Sequence, residues 1–258
     1  MIIRRKRRRR VEFLLGFLIA CAVGLTGVGA GSVTAPVLIL FFHLKPAVAV
    51  GTALTFSAAI KFAVIPLYLK RKQVDHRIMA LLCLGGIPGV LVGVRLMSHL
   101  DTKRHESGIF LILGSTIFIV SMGSLYRTIR SRMAAAQTDH ARWLPPIAVI
   151  IGGEVGFSSA GAGALGALML LNLTKLTAAQ VVGTDMAFGF TLSTIGGGLH
   201  LLAGEYDKLI MIKLIVGGVA GAFTGAMLSS IIPPRPLRLA LSIWLAILGL
   251  QLCWKALT

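Results

Sequence analysis

The chain of 258 residues is 56% hydrophobic and only 14% charged, with a mean hydropathy of +0.86 and a net charge of +17. No water-soluble fold could bury that much apolar surface, which excludes an ordinary soluble domain. The positive charge points to a membrane surface rather than to nucleic acid. Seven of the 26 Lys and Arg stand in the first ten residues, and most others fall in short stretches between apolar segments.

Residues 1–11, with RRKRRRR from Arg4 to Arg10, read as a basic cytoplasmic tail. The start also has the form of a secretion signal, being basic, then apolar from Phe13, then small at Ala20 and Ala22. The internal repeat described below argues against its removal. Uncharged stretches of about the 20 residues a spanning helix needs then recur, among them Phe13 to Phe42, Ser107 to Tyr126, Val155 to Thr174, Met186 to Gly204 and Leu214 to Pro234. The pattern predicts an all-α, polytopic membrane protein of about eight transmembrane segments, over 12–42, 47–69, 76–98, 106–126, 144–173, 178–203, 208–231 and 237–256. Cys21, Cys83 and Cys253 lie in apolar segments without metal-ligand spacing and read as free thiols.

Shifted by 132 residues, 24–98 aligns without a gap on 156–230 with 24 identities in 75 positions. Gly29 and Gly31 meet Gly161 and Gly163, Gly51-Thr52 meets Gly183-Thr184, and Asp75 meets Asp207. The chain therefore reads as a first transmembrane repeat over 12–126, a basic linker over 127–143 and a second repeat over 144–258. With the N-terminus inside and every segment crossing once, the tail, Lys70, Arg71, Lys72, Arg77, the linker arginines, Lys208 and Lys255 share the inner side. Lys103, Arg104, Arg235 and Arg238 then lie outside. That asymmetry predicts cytoplasmic termini and halves that run parallel.

Each repeat opens on a glycine-rich segment that a regular helix does not suit: GLTGVGAGSVTAP from Gly24 to Pro36, and GFSSAGAGALG from Gly156 to Gly166. Paired interruptions at corresponding positions of two halves mark a transporter's central site, because half-helix N-termini offer free N–H groups to an anion. The two are expected near mid-membrane, facing each other across a cavity. The bland alternative is close helix packing, and for Gly85, Gly89, Gly93 and Gly217, Gly221, Gly225, spaced by four, packing is the better reading. Gly161 to Gly166 also fits GxGxxG with Asp185 about twenty residues on, but no βαβ pattern surrounds it. Walker A and GxSxG motifs are absent, so the sequence gives no support to ATP hydrolysis or serine catalysis, and no enzyme, cofactor or metal is expected.

These motifs, together with AVAVGTA from Ala47 and VVGTD ending at Asp185, resemble the TauE/SafE-type sulfite exporter family over nearly the whole chain. The resemblance implies a bacterial inner-membrane permease for sulfite, an organosulfonate or a related sulfur-containing or organic anion. It carries anion handling to Gly29, Gly31, Pro36, Gly51, Thr52, Gly161, Gly163, Gly183 and Thr184. Ala30 and Ala162 interrupt what is often a run of three glycines in that family, and Leu168 stands where the first copy has Pro36, so the halves are not equivalent there.

Three ionisable residues fall inside apolar stretches: Lys61, Glu154 and Asp185. Each costs at least about 2.5 kcal/mol on insertion scales unless it faces a partner or a cavity. Their repeat equivalents are Ser193, Ala22 and Ala53, so the fold itself does not require the charges. Lys61 joins Gly29, Gly31, Thr52, Gly161, Gly163 and Thr184 as a candidate substrate-binding residue. Glu154 and Asp185 are candidates for proton coupling, with pairing to Lys61 as the structural alternative for Asp185. Parallel halves would separate Lys61 and Asp185 along the membrane normal by roughly 12 Å. His200, near a span end, reads as interfacial. The expected partners are a small anionic substrate and membrane lipids, with homo-oligomerisation left open. A non-transporting membrane scaffold is the second reading.

Overall fold

The computed structural model describes residues 2–26, 29–100, 106–130, 140–161, 163, 165–228 and 234–257. Among these there is no strand. Ten α-helices follow in order: α1 (Ile2–Thr26), α2 (Ala30–Phe41), α3 (Pro46–Lys70), α4 (His76–Leu100), α5 (Glu106–Arg130), α6 (Leu144–Ser158), α7 (Leu165–Leu173), α8 (Ala178–Leu202), α9 (Lys208–Leu228) and α10 (Pro234–Leu257). A 3₁₀ turn at Ala141–Trp143 precedes α6.

Local chemistry sets the helix starts. Proline opens α3 and occupies the first turn of α6, where its missing N–H costs nothing. Thr177 and Gln180 form a capping box at α8. Asp75 and Asp207 accept the N–H of Ile78 and Ile210 at 2.9 and 2.8 Å, capping α4 and α9 alike.

Among the described residues, five helices are long and apolar enough to cross a membrane: Pro46–Lys70, His76–Leu100, Ser107–Tyr126, Lys208–Gly225 and Leu239–Ala256. The expected count of eight is not reached, for two reasons. Helix α8 has 25 residues, yet Gln180, Asp185 and His200 make it too polar to qualify on composition. The first segment of each repeat is broken in two, as expected from its glycines, so that α1 and α2, like α6 and α7, are separate shorter helices.

The break has a consequence for direction. Gly85, Gly89 and Gly93 of α4 face Pro145, Val149 and Gly153 of α6, a parallel register, and Gly217, Gly221 and Gly225 of α9 face Phe13, Phe17 and Cys21 of α1 in the same sense. Between α3 and α8 the pairs run oppositely: Gly51 lies at Glu205 and His200, Thr55 at Gly197, Lys61 at Ser193, and Gln73 at Gly183. Helices α5 and α10 are antiparallel too, with Leu111 at Cys253, Gly114 at Gly249 and Ser124 at Ser242. Successive helices thus alternate in direction along the chain. Each repeat supplies five helices, an odd number, so the second repeat runs opposite to the first.

This overturns the expectation of parallel halves. Parity is the physical reason, since four helices per repeat would have restored the starting direction and five do not. Both termini lie at one end of the bundle, while the end of α5 and the start of α6 lie at the other. The charges expected on one side are therefore divided. Lys208 and Lys255 sit at the terminal end, whereas Lys70, Arg71, Lys72, Arg77 and Arg142 sit at the linker end. The expected outer residues Lys103 and Arg104, and the linker's Arg132, lie outside the described residues.

The two repeats interlock. Helix α1 packs on α9 and α6 on α4, so each repeat's first helix is held by the other's fourth. A Cβ on any of the six glycines just named would overlap backbone of the facing helix, which confirms the packing reading of those stripes. Lys213 of α9 forms an ion pair with Glu12 of α1 at the edge of this contact. Large apolar side chains such as Leu18, Phe62, Ile150 and Met227 point outward, as lipid-facing positions do. The three cysteines are free thiols of intermediate exposure.

Candidate functional site

The two glycine-rich breaks come together at the centre of the bundle. In the first, Gly29 is the N-cap residue of α2 with φ −59° and ψ 130°, and no side chain caps the helix. The nearby hydroxyls are turned elsewhere, with Ser32 donating to Gly29 O at 2.6 Å and Thr34 to Ala30 O at 2.8 Å. Among the described residues no side chain caps the first turn of α2, although Ala30, Gly31 and Ser32 are buried.

In the second break, Ser159 ends α6 in the left-handed region with φ 65°, and its N–H bonds Val155 O at 2.8 Å. Gly161 and Gly163 follow with φ of 86° and 106°, conformations open to glycine and strained for other residues. Leu165 N–H then bonds Gly161 O at 3.1 Å and starts α7. The tips touch directly rather than across a cavity, because a Cβ on Gly31 would overlap both the hydroxyl and the carbonyl oxygen of Ser159. The Ser159 hydroxyl is buried and has no hydrogen-bond partner.

Helices α3 and α8 cross where Lys61 meets its own repeat equivalent. The ammonium of Lys61 donates to Ser193 Oγ at 3.4 Å, and Ser193 donates to Ser57 Oγ at 3.4 Å. Lys61 is 4% exposed and lies near the middle of α3, so its charge is far from either end of the bundle. Asp185 stands eight residues from Ser193 along α8, an axial offset of roughly 12 Å, so the antiparallel crossing does not bring it level with Lys61.

Both candidate coupling carboxylates gather at the second tip. Glu154 Oε1 accepts from Ser158 Oγ at 2.6 Å, whereas Oε2 is buried without a hydrogen-bond partner and lies where a Cβ on Gly161 would be. Asp185 Oδ1 lies where a Cβ on Gly166, in the first turn of α7, would be. Thr52 and Thr184 lie in the second turns of α3 and α8. Thr52 accepts the N–H of Asp207, and Thr184 that of Asp75, both at 3.0 Å, a symmetric pair of ties between the halves.

Reasoning from sequence missed three groups. Ser159 aligns with Gly27, so its hydroxyl belongs to the second copy alone, a signal present in the repeat alignment. Ser193 could have been found as the residue 132 beyond Lys61. His200, two residues from the end of α8, is fully buried: its Nδ1 lies 2.6 Å from Glu205 Oε2, to which Ser98 also donates at 2.9 Å.

Residues 12–252 match the family model described as Sulfite exporter TauE/SafE. The chain is 30% identical over 253 residues to the probable membrane transporter protein YjnA of Bacillus subtilis (strain 168), covering 93% of this chain and 97% of that one. It is 26% identical to the probable membrane transporter protein YdhB of the same organism, over 93% and 98% of the two chains. A probable membrane transporter protein of Xylella fastidiosa (strain Temecula1 / ATCC 700964) is 25% identical, over 83% and 82%. No solved structure matches significantly. The chain belongs to the TauE/SafE family of multi-pass membrane transporter proteins.

Proposed function

We propose that this member of the TauE/SafE family is a secondary transporter that carries a small anion, such as sulfite, an organosulfonate or a related organic anion, across the bacterial cytoplasmic membrane by alternating access. The observation that carries the reading is the meeting of the two glycine-rich tips, Gly31 on Ser159, at the first turn of α2, which is buried and which no side chain caps among the described residues. A buried helix N-terminus attracts negative charge and offers ready donors to it. Oppositely directed halves with broken helices at their interface are also the arrangement that lets one half rock against the other around a central site.

On this reading α3, α4, α5, α8, α9 and α10 cross the membrane, while α1–α2 and α6–α7 are re-entrant hairpins. The repeats 12–126 and 144–258 are then inverted copies, with the linker 127–143 outside and both termini, including the basic tail, in the cytoplasm. Gly29 and Gly31 lie at the anion site, and Gly161 and Gly163 shape the opposing turn, next to Ser159, that packs against it. Lys61 supplies the positive charge at the crossing of α3 and α8, and Glu154 or Asp185 carries the coupling proton. Thr52 and Thr184 act at the ends of the moving helices through their ties to Asp207 and Asp75.

The test is flux through the purified protein in proteoliposomes, measured for sulfite, sulfate, thiosulfate, sulfonates and small carboxylates with and without a proton gradient. Saturable flux of at least one of these anions, accelerated by the gradient, is the expected result. Absence of flux for all of them would leave the scaffold reading in its place.

A further inference from the structure

The halves differ most where they would be expected to match, at the N-termini of α2 and α7. In the second half, two carboxylate oxygens occupy that end: Glu154 Oε2 against Gly161 and Asp185 Oδ1 against Gly166. An anionic ligand there would meet two acidic groups of the protein. In the first half the equivalent residues are Ala22 and Ala53, so the start of α2 faces no carboxylate from these positions. What faces it is Ser159, which is 6% exposed, has a hydroxyl without a partner, and is pressed on Gly31.

From this we infer, on the premise that the protein transports an anion, that the site is single and one-sided: the oxyanion end of the substrate binds at the N-terminus of α2, and Ser159, reaching over from the second repeat, is the side chain that completes it. The first-turn N–H groups of Ala30, Gly31 and Ser32 supply backbone donors, and the Ser159 hydroxyl supplies one more from the opposite tip. Because Ser159 and Gly31 are in contact, the oxyanion sits beside that contact, over the helix end, rather than between them. The chemistry selects a compact group with several acceptor oxygens on one centre, such as a sulfite or a sulfonate. A donor from each half on one ligand also links anion binding to the relative position of the halves. The second tip keeps its carboxylates for the proton and takes no anion.

The experiment uses the full-length protein, with equilibrium binding of sulfite, methanesulfonate and acetate measured in detergent and flux measured in proteoliposomes. Ser159→Gly is the informative variant, because a left-handed φ suits glycine and the change removes only the hydroxymethyl group. Ser159→Gly and Ser159→Ala should each weaken sulfite binding and raise its KM about ten-fold, the loss expected of one hydrogen bond to a charged ligand. Glu154→Gln should leave sulfite affinity within about two-fold while weakening the response of flux to a proton gradient. Wild-type affinity in a folded Ser159→Gly protein would overturn the inference, as would a ten-fold gain of affinity in Glu154→Gln, which would place the anion at the second tip. Protein that binds none of the three anions would remove the site itself. Binding without flux would leave the site standing and count against transport.

Discussion

Lys61 and Ser193 stand 132 residues apart in the sequence, the spacing of the repeat, and their side chains meet at 3.4 Å. Two equivalent residues can touch only where the operation relating the halves leaves position nearly unchanged, so this contact lies close to the local two-fold. A buried ammonium at that point serves both halves equally, whichever of them moves.

It follows that the charge should matter more than the helix that carries it. Lys61→Ser is expected to lower anion flux at least ten-fold, through loss of an intramembrane charge that faces protein rather than lipid. Lys61→Ser combined with Ser193→Lys places the ammonium on α8 at the same crossing and should recover a substantial part of the flux. Proteoliposome assays of the single and double variants decide this, and a double variant no better than the single one would show that Lys61 acts through neighbours particular to α3.

The direction of the helices makes a separate prediction. In a background with Cys21, Cys83 and Cys253 replaced, Lys208→Cys and Lys72→Cys should react with an impermeant maleimide from opposite sides of the membrane. Lys208 begins α9 at the end where the termini lie, and Lys72 lies in the α3–α4 connection at the other. Labelling of both from one side would restore parallel halves.

Much of this arrangement is legible in the sequence. The repeat, the breaks at Gly24–Pro36 and Gly156–Gly166 and the packing role of the glycines spaced by four all follow from residue type and spacing. What the sequence hid was the parity of the helices. A run without charges from Phe13 to Phe42 counts as one segment by hydropathy, and charge counting then puts Lys70–Lys72 on the side of the tail. The first break turns one segment into two and inverts the side assignments that follow it, until the second break restores them. Hydropathy registers the cost of burial and is blind to direction, which the chain sets through Gly29 and Ser159. The ties of Thr52 to Asp207 and Thr184 to Asp75 were hidden for another reason, as each spans more than a hundred residues and joins two loops to two helix starts.

The glycine stripes give a prediction about stability alone. A side chain at Gly89 would overlap Val149 O and approach Gly153 N, both backbone atoms that cannot turn aside, whereas a Cβ at Gly123 meets nothing within 4 Å. Gly89→Val should therefore force α4 and α6 apart and cost several kcal/mol, in the range of severe overpacking. Gly123→Ala should be neutral or slightly stabilising, through better helix propensity. Thermal unfolding in detergent separates the two, and equal stability would mean that α4 and α6 are not in the contact described.

The threonine ties can be tested against a substrate role for the same residues. Thr52→Val and Thr184→Val each leave a backbone N–H without its acceptor, a loss of about 1–3 kcal/mol where the group stays buried. Because the ties lie at opposite ends of the bundle, the losses should add. A substrate role would instead show as a raised KM at little cost in stability. Thr→Ser variants keep the acceptor and should behave as wild type in either case.

The second tip offers the sharpest separation of backbone strain from electrostatic crowding. Gly161 has φ 86°, and a Cβ there would also overlap Glu154 Oε2, so Gly161→Ala carries two penalties. The left-handed backbone costs an alanine roughly 1–2 kcal/mol wherever it occurs. Displacing a carboxylate already short of hydrogen-bond partners adds to this. Gly29 has φ −59° and ψ 130°, values open to any residue, so Gly29→Ala carries no such backbone cost. The expected order of stability is wild type close to Gly29→Ala, then Gly161→Ala with Glu154→Ala, then Gly161→Ala alone, read as unfolding temperatures in detergent. Removing the carboxylate should return the crowding share of the loss and leave the strain share in place. If Gly161→Ala proves no more stable with Glu154→Ala than without it, then Glu154 does not press on Gly161, and the packing of that carboxylate against the turn would have to be abandoned.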